Sequence, residues 1–468
     1  VTFLSHDAMA GATNGRWVGP PWRGSPLSGI GTDTRVPLEG RAFVALVGEQ
    51  HDAHHHLAAA QSAGAAALIV SRLPDGFTPS VPALLVRDTL VALQQLAKAW
   101  RAEVSPFTIG ITGSSGKTTT RRLLHGVLSQ QQQGTSSPKS FNNEIGVPLT
   151  MLSVSCGDDF LLLEMGMNHP GEIRRLSAIA EQDAAVITMV GRAHLGGMGS
   201  LEAIATEKAS IADGLPACAP LIVNGDNPPL MQALAELGRC DLRLITFGTD
   251  AARNVRLVSR EQHPEVQVVT ARAHGQLVQF ELRLPGVHNA MNALAALAMG
   301  LDRGLTPAQI VRGLATVEPS EMRMVRERIG SVDVYNDAYN ANPDAVAAAL
   351  RSFAEVAARA PRRVAVLGDM LELGDAERAL HEEVGRVAAS VLERGDRAWF
   401  IGPRSRFGAD AAREAGLDAE WVESLDGGAA ASIAAALAEG DAVLLKGSRG
   451  SAVERVLPAL RAAPIVAG

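Results

Sequence analysis

The sequence predicts an α/β protein of three domains: a small N-terminal α/β domain, a central P-loop ATPase domain on a parallel sheet with an antiparallel hairpin insertion, and a C-terminal Rossmann-like domain. Three observations predict it. The chain has 468 residues, about three times the ~150 typical of one domain. Short apolar runs alternate with helix-length segments in two separate stretches, as parallel strands joined by crossover helices do. One such run leads into a glycine-rich turn ending in Gly116-Lys117-Thr118.

The elements follow in order. Residues 1–104 carry apolar runs at 42–47, 66–70 and 83–86, then a segment of helical spacing, 90–102, stopped before Pro106. From Phe107 a strand, the glycine-rich turn and a helix at 121–128 open the second unit, 105–315, with further apolar runs at 160–163, 184–190 and 221–223. Between 255 and 284 the rhythm changes to alternating runs, 266–269 and 278–284, split by His274-Gly275, which reads as an antiparallel hairpin. A helix is predicted over 290–299. Periodicity lapses at Glu318-Pro319-Ser320, so the third unit is placed at 316–468; its runs 364–367, 398–401 and 442–445 restart the βα alternation.

Composition narrows the function. Hydrophobic residues make up 47% and charged residues 20% of the chain, which excludes a largely disordered polypeptide. The net charge is −7 and no basic run exists, so nucleic acid and anionic membranes are not expected partners. No apolar run approaches the ~18 residues of a membrane span, and neither a span nor a signal peptide is expected. The three cysteines are too scattered for a disulfide framework or a CxxC metal site, which fits the reducing cytoplasm. Adjacent His54, His55 and His56 cannot all reach one ion and read as a surface cluster. Lysine fills only five of 43 basic positions, 98, 117, 139, 208 and 446. Where arginine is the default cation, a retained lysine points to a need for a compact amine.

The strongest motif is Gly110-Ile111-Thr112-Gly113-Ser114-Ser115-Gly116-Lys117-Thr118-Thr119-Thr120, between a strand and a helix. Such a loop turns successive N–H groups toward a polyphosphate, Lys117 neutralises the outer phosphates, and Thr118 offers a hydroxyl to Mg²⁺. The usual first glycine position is Ile111 here, with Gly113 inside the loop. Glu164 ends its strand where parallel sheets present ligands, suited to hold Mg²⁺ or to be a solvated strand-end acid. His194 also follows a strand, although imidazole is an unusual magnesium ligand.

Together with Asn142-Asn143-Glu144-Ile145-Gly146-Val147-Pro148, Glu164-Met165-Gly166, Ala193-His194, Glu207-Lys208 and His288-Asn289-Ala290-Met291-Asn292, the phosphate motif resembles, in order and spacing, the Mur ligases. These are ATP-dependent amide-forming enzymes of peptidoglycan synthesis. The strings Asp337-Ala338-Tyr339-Asn340-Ala341-Asn342-Pro343, Gly368-Asp369-Met370-Leu371-Glu372-Leu373-Gly374 and Lys446-Gly447-Ser448-Arg449 are similar to the branch that joins D-Ala-D-Ala to UDP-MurNAc-tripeptide. The resemblance implies that Gly113, Ser114, Ser115, Gly116, Lys117, Thr118 and Thr119 hold ATP phosphates, with Asn289 and Asn292 on the adenine side, Asp337 at the ribose and Arg323 reaching the phosphates.

It also implies two Mg²⁺ sites, one on Thr118 and Glu164, the other on His194 and a Lys208 carbamylated by CO₂. The catalytic set is then Lys117, His194, Lys208 and Arg323. Thr32, Asp33, Thr34 and Arg35 would grip the uridine nucleotide sugar less closely to the family pattern, and Asn142, Asn143, Asn340, Asn342, Lys446, Ser448 and Arg449 would contact substrate. The expected reaction runs through an acyl phosphate attacked by an amine, in a monomer whose C-terminal unit closes on the central one. His194, the carbamate and His381 are open as bases, the last reading more simply as a helix-surface residue. A sister Mur or folylpolyglutamate-type ligase, and a non-catalytic ATP-binding switch, are the alternative readings.

Overall fold

Strand pairing divides the chain into three sheets, which a computed structural model describes over residues 3–22, 26–138 and 140–462. Lys139 lies outside the described residues. In the first sheet the strands Gly29–Gly31, Arg41–Val44, Ala67–Val70 and Ala83–Leu85 run parallel, with Arg16–Val18 antiparallel at the edge. The helix Thr89–Val104 follows, started by Asp88, whose Oδ1 accepts the N–H groups of Leu90 (2.8 Å) and Val91 (3.0 Å).

That helix has two partners. Its apolar stripe, Ala92, Leu93, Leu96, Ala97 and Trp100, belongs to one continuous core with Val44 and Ile69 of the first sheet and with Val147 and Met151 of the helix Gly146–Leu152. Trp100 Nε1 donates to Val154 O at 2.9 Å. Each fully buried side chain of this size contributes about 2 kcal/mol, so the first unit is fastened to the second by a shared core.

The second sheet has nine strands, with the phosphate-motif strand Phe107–Thr112 between Phe160–Glu164 and Ala184–Ile187. Parallel pairing aligns Ile111 with Glu164 and Thr112 with Ile187, so three carboxyl ends converge beside the glycine-rich turn. Where a hairpin was expected, three strands continue the same sheet: Val255–Gln262 pairs parallel with Arg243–Gly248, and Gln267–Ala273 and Gln276–Leu282 add antiparallel. The tight turn does fall at His274 (φ 48°) and Gly275 (φ 80°), where a two-residue hairpin needs positive φ twice. Inward residues Val269, Ala271, Val278 and Phe280 pack in the core of the helix Val287–Asp302.

After the helix Pro307–Ala315, the strand Val325–Ile329 opens the third sheet. It pairs antiparallel with Val332–Asn336; beyond that, Ala442–Lys446, Arg363–Gly368, Arg397–Ile401 and Asp418–Val422 run parallel. The last strand of the chain enters between earlier ones, and this reversal of order opens a crevice at the carboxyl ends.

Candidate active site

The glycine-rich loop is held by geometry only glycine satisfies. Gly113 has φ +151°, and a Cβ there would collide with Thr188 Oγ1, which donates to Ser115 O at 2.5 Å. At Gly116 (φ +83°) a Cβ would lie 2.5 Å from Asn292 Oδ1. The expected adenine-side residues thus abut the phosphate loop: Asn292 donates to Asn289 Oδ1 (3.3 Å), and Asn289 to Pro285 O (2.8 Å). Lys117 starts the helix Lys117–Leu128 and turns its Nζ back to Gly113 O at 2.7 Å. Ser114 exchanges hydrogen bonds with Gly191 in both directions, each 2.9 Å.

Thr118 Oγ1 donates to Glu164 Oε2 at 3.1 Å, and Arg121 Nε donates to Glu164 Oε1 at 2.6 Å. Glu164 and Arg121 are buried. From the third unit, Arg323 Nη2 donates to Thr118 Oγ1 at 3.2 Å while its guanidinium lies 4.1 Å from the Tyr339 ring centroid. Among the described residues no three His, Cys, Asp or Glu side chains converge on a metal-sized site. A hydroxyl and a carboxylate oxygen at this spacing fit a hard divalent cation that takes its remaining ligands from phosphate and water.

Three basic groups, Lys117, Lys208 and His194, are electrostatically coupled here, and each is shifted toward its neutral form. Burial, with Arg323 nearby and against Glu164, lowers Lys117 below the ordinary lysine range. Lys208, on the helix Leu201–Ala209, is 1% exposed; burial and the Lys117 charge push it well below that range despite Glu207. Glu207 is engaged elsewhere, accepting the N–H groups of Gly171 and Ile173 at 2.7 Å each. His194 (φ 61°) is lowered by burial and by Lys117 and Lys208, against Glu372, whose Oε2 lies 2.5 Å from its Nδ1. A cavity of about 200 Å³ opens beside Lys117 and His194, lined also by Asn142, Asn143 and Gly166. Glu144, Glu172 and Arg175 also line it, so the cavity carries charges of both signs, with Lys117 at the end nearest the phosphate loop.

Other expected residues have structural partners. Asp337 pairs with Lys446 Nζ at 2.7 Å and accepts Met324 N–H at 3.2 Å; Lys446 also donates to Asn340 O at 2.8 Å. Asn143 Oδ1 accepts Gly146 N–H (2.9 Å), Asn340 Oδ1 accepts Ala341 N–H (2.9 Å), and Asn342 Oδ1 caps the helix Pro343–Val356 through Ala345 N–H (2.9 Å). Ser448 Oγ accepts Leu371 N–H at 3.1 Å. Arg449 reaches Met322 Sδ at 3.1 Å and is largely exposed. Thr119 lies on the first turn of the phosphate-loop helix.

Thr32 and Asp33 line a cleft of about 650 Å³ between the first two units, walled by Ile30, Phe141, Leu152 and Cys156. Thr34 and Arg35 lie outside this lining. Arg35 is exposed and forks onto Asp33, whose carboxyl it holds down at about 2 through side-chain and backbone donors.

Two histidine readings change. His54 is buried, its Nδ1 2.6 Å from Asp52 Oδ1 and its Nε2 accepting Ser71 N–H at 3.0 Å, because the short helix Ala53–His56 turns it inward. His381 is also buried: Nε2 accepts Met370 N–H (3.1 Å) and Nδ1 donates to Glu377 O (2.8 Å), which fixes the loop carrying Glu372. Both ring nitrogens are thus engaged by the backbone, in place of the helix-surface position expected. Arg121 and Thr188, which bond directly to Glu164 and Ser115, and Arg192, which bonds to Asp344, were passed over in the sequence, while Glu372 was read only as part of the string 368–374. Arg121 alone left a signal, a cation four residues after Lys117 on the face turned to the sheet.

The chain matches the family models for the Mur ligase middle domain over residues 111–300 and the Mur ligase, glutamate ligase domain over 322–449. It belongs to the Mur ligase family. A relative from Bacillus subtilis, UDP-N-acetylmuramoyl-tripeptide--D-alanyl-D-alanine ligase, is 35% identical over 461 residues, covering 98% of each chain. A crystal structure of MurF from Acinetobacter baumannii superposes with TM-score 0.86 at 28% identity, covering 97% of this chain and 98% of the other. MurF ligase from Thermotoga maritima in complex with ADP superposes with TM-score 0.80 at 27% identity, covering 92% and 97%. No helix among the described residues is long and apolar enough to cross a membrane.

Proposed function

We propose that this chain joins D-Ala-D-Ala to UDP-MurNAc-tripeptide at the expense of ATP, as a cytoplasmic monomer with units 1–104, 105–315 and 316–468 serving nucleotide sugar, ATP and amine in turn. The carrying observation is the approach of Arg323 to Thr118 Oγ1 at 3.2 Å, which closes the phosphate loop with a cation from another unit. The B. subtilis relative's name supports the choice of substrates.

Loop N–H groups and Lys117 hold the triphosphate, and Arg323 offsets the charge that grows as the γ-phosphoryl passes to the tripeptide carboxylate. Magnesium, when bound at Thr118 and Glu164, neutralises phosphate charge so that two anions can meet. The resulting acyl phosphate is attacked by the dipeptide amine, forming the amide and releasing phosphate. Lys208 supports carbamylation: burial beside Lys117 favours its neutral amine, the form that adds CO₂, and the product anion would offset the cations around it.

The dipeptide is assigned to the cleft of about 400 Å³ at the carboxyl ends of the third sheet. Arg455 suits its carboxylate and Glu423 its ammonium, whereas Arg404 in the same wall is paired with Glu377 (2.6 Å) and Asp369 (3.5 Å); the wall residue Leu371 adjoins Glu372 at His194. Phosphate release measured with UDP-MurNAc-tripeptide and a panel of amines tests the reading. D-Ala-D-Ala should be the substrate; turnover with single amino acids and not with the dipeptide would refute it in favour of a sister ligase, and ATP binding without turnover would leave a switch.

A further inference from the structure

Arg192 lies between the strand Ala184–Ile187 and His194 and bonds to two helices of the third unit. Its backbone N–H donates to Asp344 Oδ2 at 2.7 Å and its Nη2 to Asp344 Oδ1 at 2.7 Å. The other side of the guanidinium takes Glu383, Nη1 to Oε2 at 2.7 Å and Nη2 to Oε1 at 2.9 Å. Asp344 stands in the first turn of the helix Pro343–Val356, where the helix dipole favours a carboxylate. Glu383 comes from the next helix, Glu377–Val391. One planar fork therefore pins two helices of the third unit to a loop of the second.

The same loop is bonded to the phosphate loop. Gly191 exchanges two hydrogen bonds with the Ser114 side chain, and Ser114 N–H donates to Met189 O at 2.9 Å. A Cβ at Gly191 would lie 2.6 Å from Asp344 Oδ2, so a side chain there would push the carboxylate out of its present bond to Arg192. Ser114, Gly191, Arg192 and the two carboxylates form an unbroken covalent and hydrogen-bonded path from the phosphate loop to the third unit.

We infer that Arg192 is a positioning residue that couples the phosphate loop to closure of the third unit, holding Arg323 over Thr118 for phosphoryl transfer. The inference rests on the ligase reading only for its kinetic arm. Its effect is on the closed population: without the guanidinium, the side-chain bonds that tie Asp344 and Glu383 of the third unit to the loop of the second are lost, and the open arrangement gains population. Pairing with Glu383 and Asp344, against burial, raises the guanidinium pKa above the arginine range.

The test compares Arg192→Met, Arg192→Lys and Glu383→Gln with the full-length parent. Small-angle scattering without nucleotide should show a larger radius of gyration for Arg192→Met, with contraction restored by saturating ATP analogue and magnesium. Under the substrate panel, kcat should fall about tenfold with the KM for the uridine substrate unchanged. Arg192→Lys should recover part of kcat, since an ammonium keeps charge but cannot fork. Glu383→Gln, at the more exposed end, gives the same direction more weakly and decides the matter if Arg192→Met does not fold. Unchanged scattering in both neutral variants, or expansion with parental kcat, would overturn the coupling. A parent inactive with every amine refutes the ligase reading instead, and the scattering arm still judges Arg192.

Discussion

Arg121→Met removes one partner of a buried ion pair, and the structure sets the scale of the effect. Arg121 Nε and Glu164 Oε1 are 2.6 Å apart, with side chains 10% and 1% exposed, so water screens the pair little. The variant leaves the Glu164 carboxylate in the interior with Thr118 Oγ1 and the more distant Lys117 as its remaining favourable neighbours. Stranding a buried charge in this way costs about 3 kcal/mol. Glu164→Gln should cost less, because Arg121 keeps Ser136 Oγ at 3.0 Å. The double variant should be more stable than the sum of the singles by about 2 kcal/mol.

Urea unfolding followed by amide hydrogen exchange of the strands Phe107–Thr112 and Phe160–Glu164, which carry the pair's surroundings, reads this out. Three units need not unfold in one step, so the transition of these second-sheet strands is the quantity compared. Costs that add within about 0.5 kcal/mol would refute the pairing as the reason Arg121 occupies the buried face.

Lys208→Ala should abolish ligation, and acetate should restore part of it by supplying a carboxylate in the space vacated; absence of rescue, together with no carbamate ¹³C resonance in labelled bicarbonate, would remove the carbamate. His288 is held at about 4 against an ordinary 6.5, by burial with Lys446 and Arg260 and against Asp337 and Glu355. Between pH 4 and 6.5 the unfolded chain binds a proton that the folded chain does not, so stability should rise with pH across that window by about 3 kcal/mol and then level off. His288→Asn should flatten that part of the urea midpoint against pH profile, and an unaltered slope would contradict it. Arg455→Ala should raise the KM for the dipeptide and not for ATP. Asn342→Ala should instead lose a helix cap worth about 1 kcal/mol with dipeptide KM unchanged, and a shifted KM would return Asn342 to the substrate.

The sequence by itself determined the chemistry that is local in the chain. A strand, a loop with Gly113 and Gly116, a lysine and a helix start are one contiguous segment, so backbone geometry alone predicts the phosphate cradle. The three α/β units and the turn at His274-Gly275 were legible for the same reason, since strand periodicity and positive φ are short-range signals.

Tertiary structure alone decided which charges meet. Glu164 is 43 residues from Arg121, Arg192 is 152 from Asp344 and 191 from Glu383, and Arg323 is 205 from Thr118. No periodicity spans such separations, because those pairs exist only once sheet order and unit docking have brought their elements together. The same holds for the helix Thr89–Val104: its spacing said that it was helical, and only the fold said that two units share its buried face. His54 and His381 carry the same lesson in reverse, for a histidine's role is set by which neighbours occupy its two nitrogens, and those neighbours arrive through the chain's path in space.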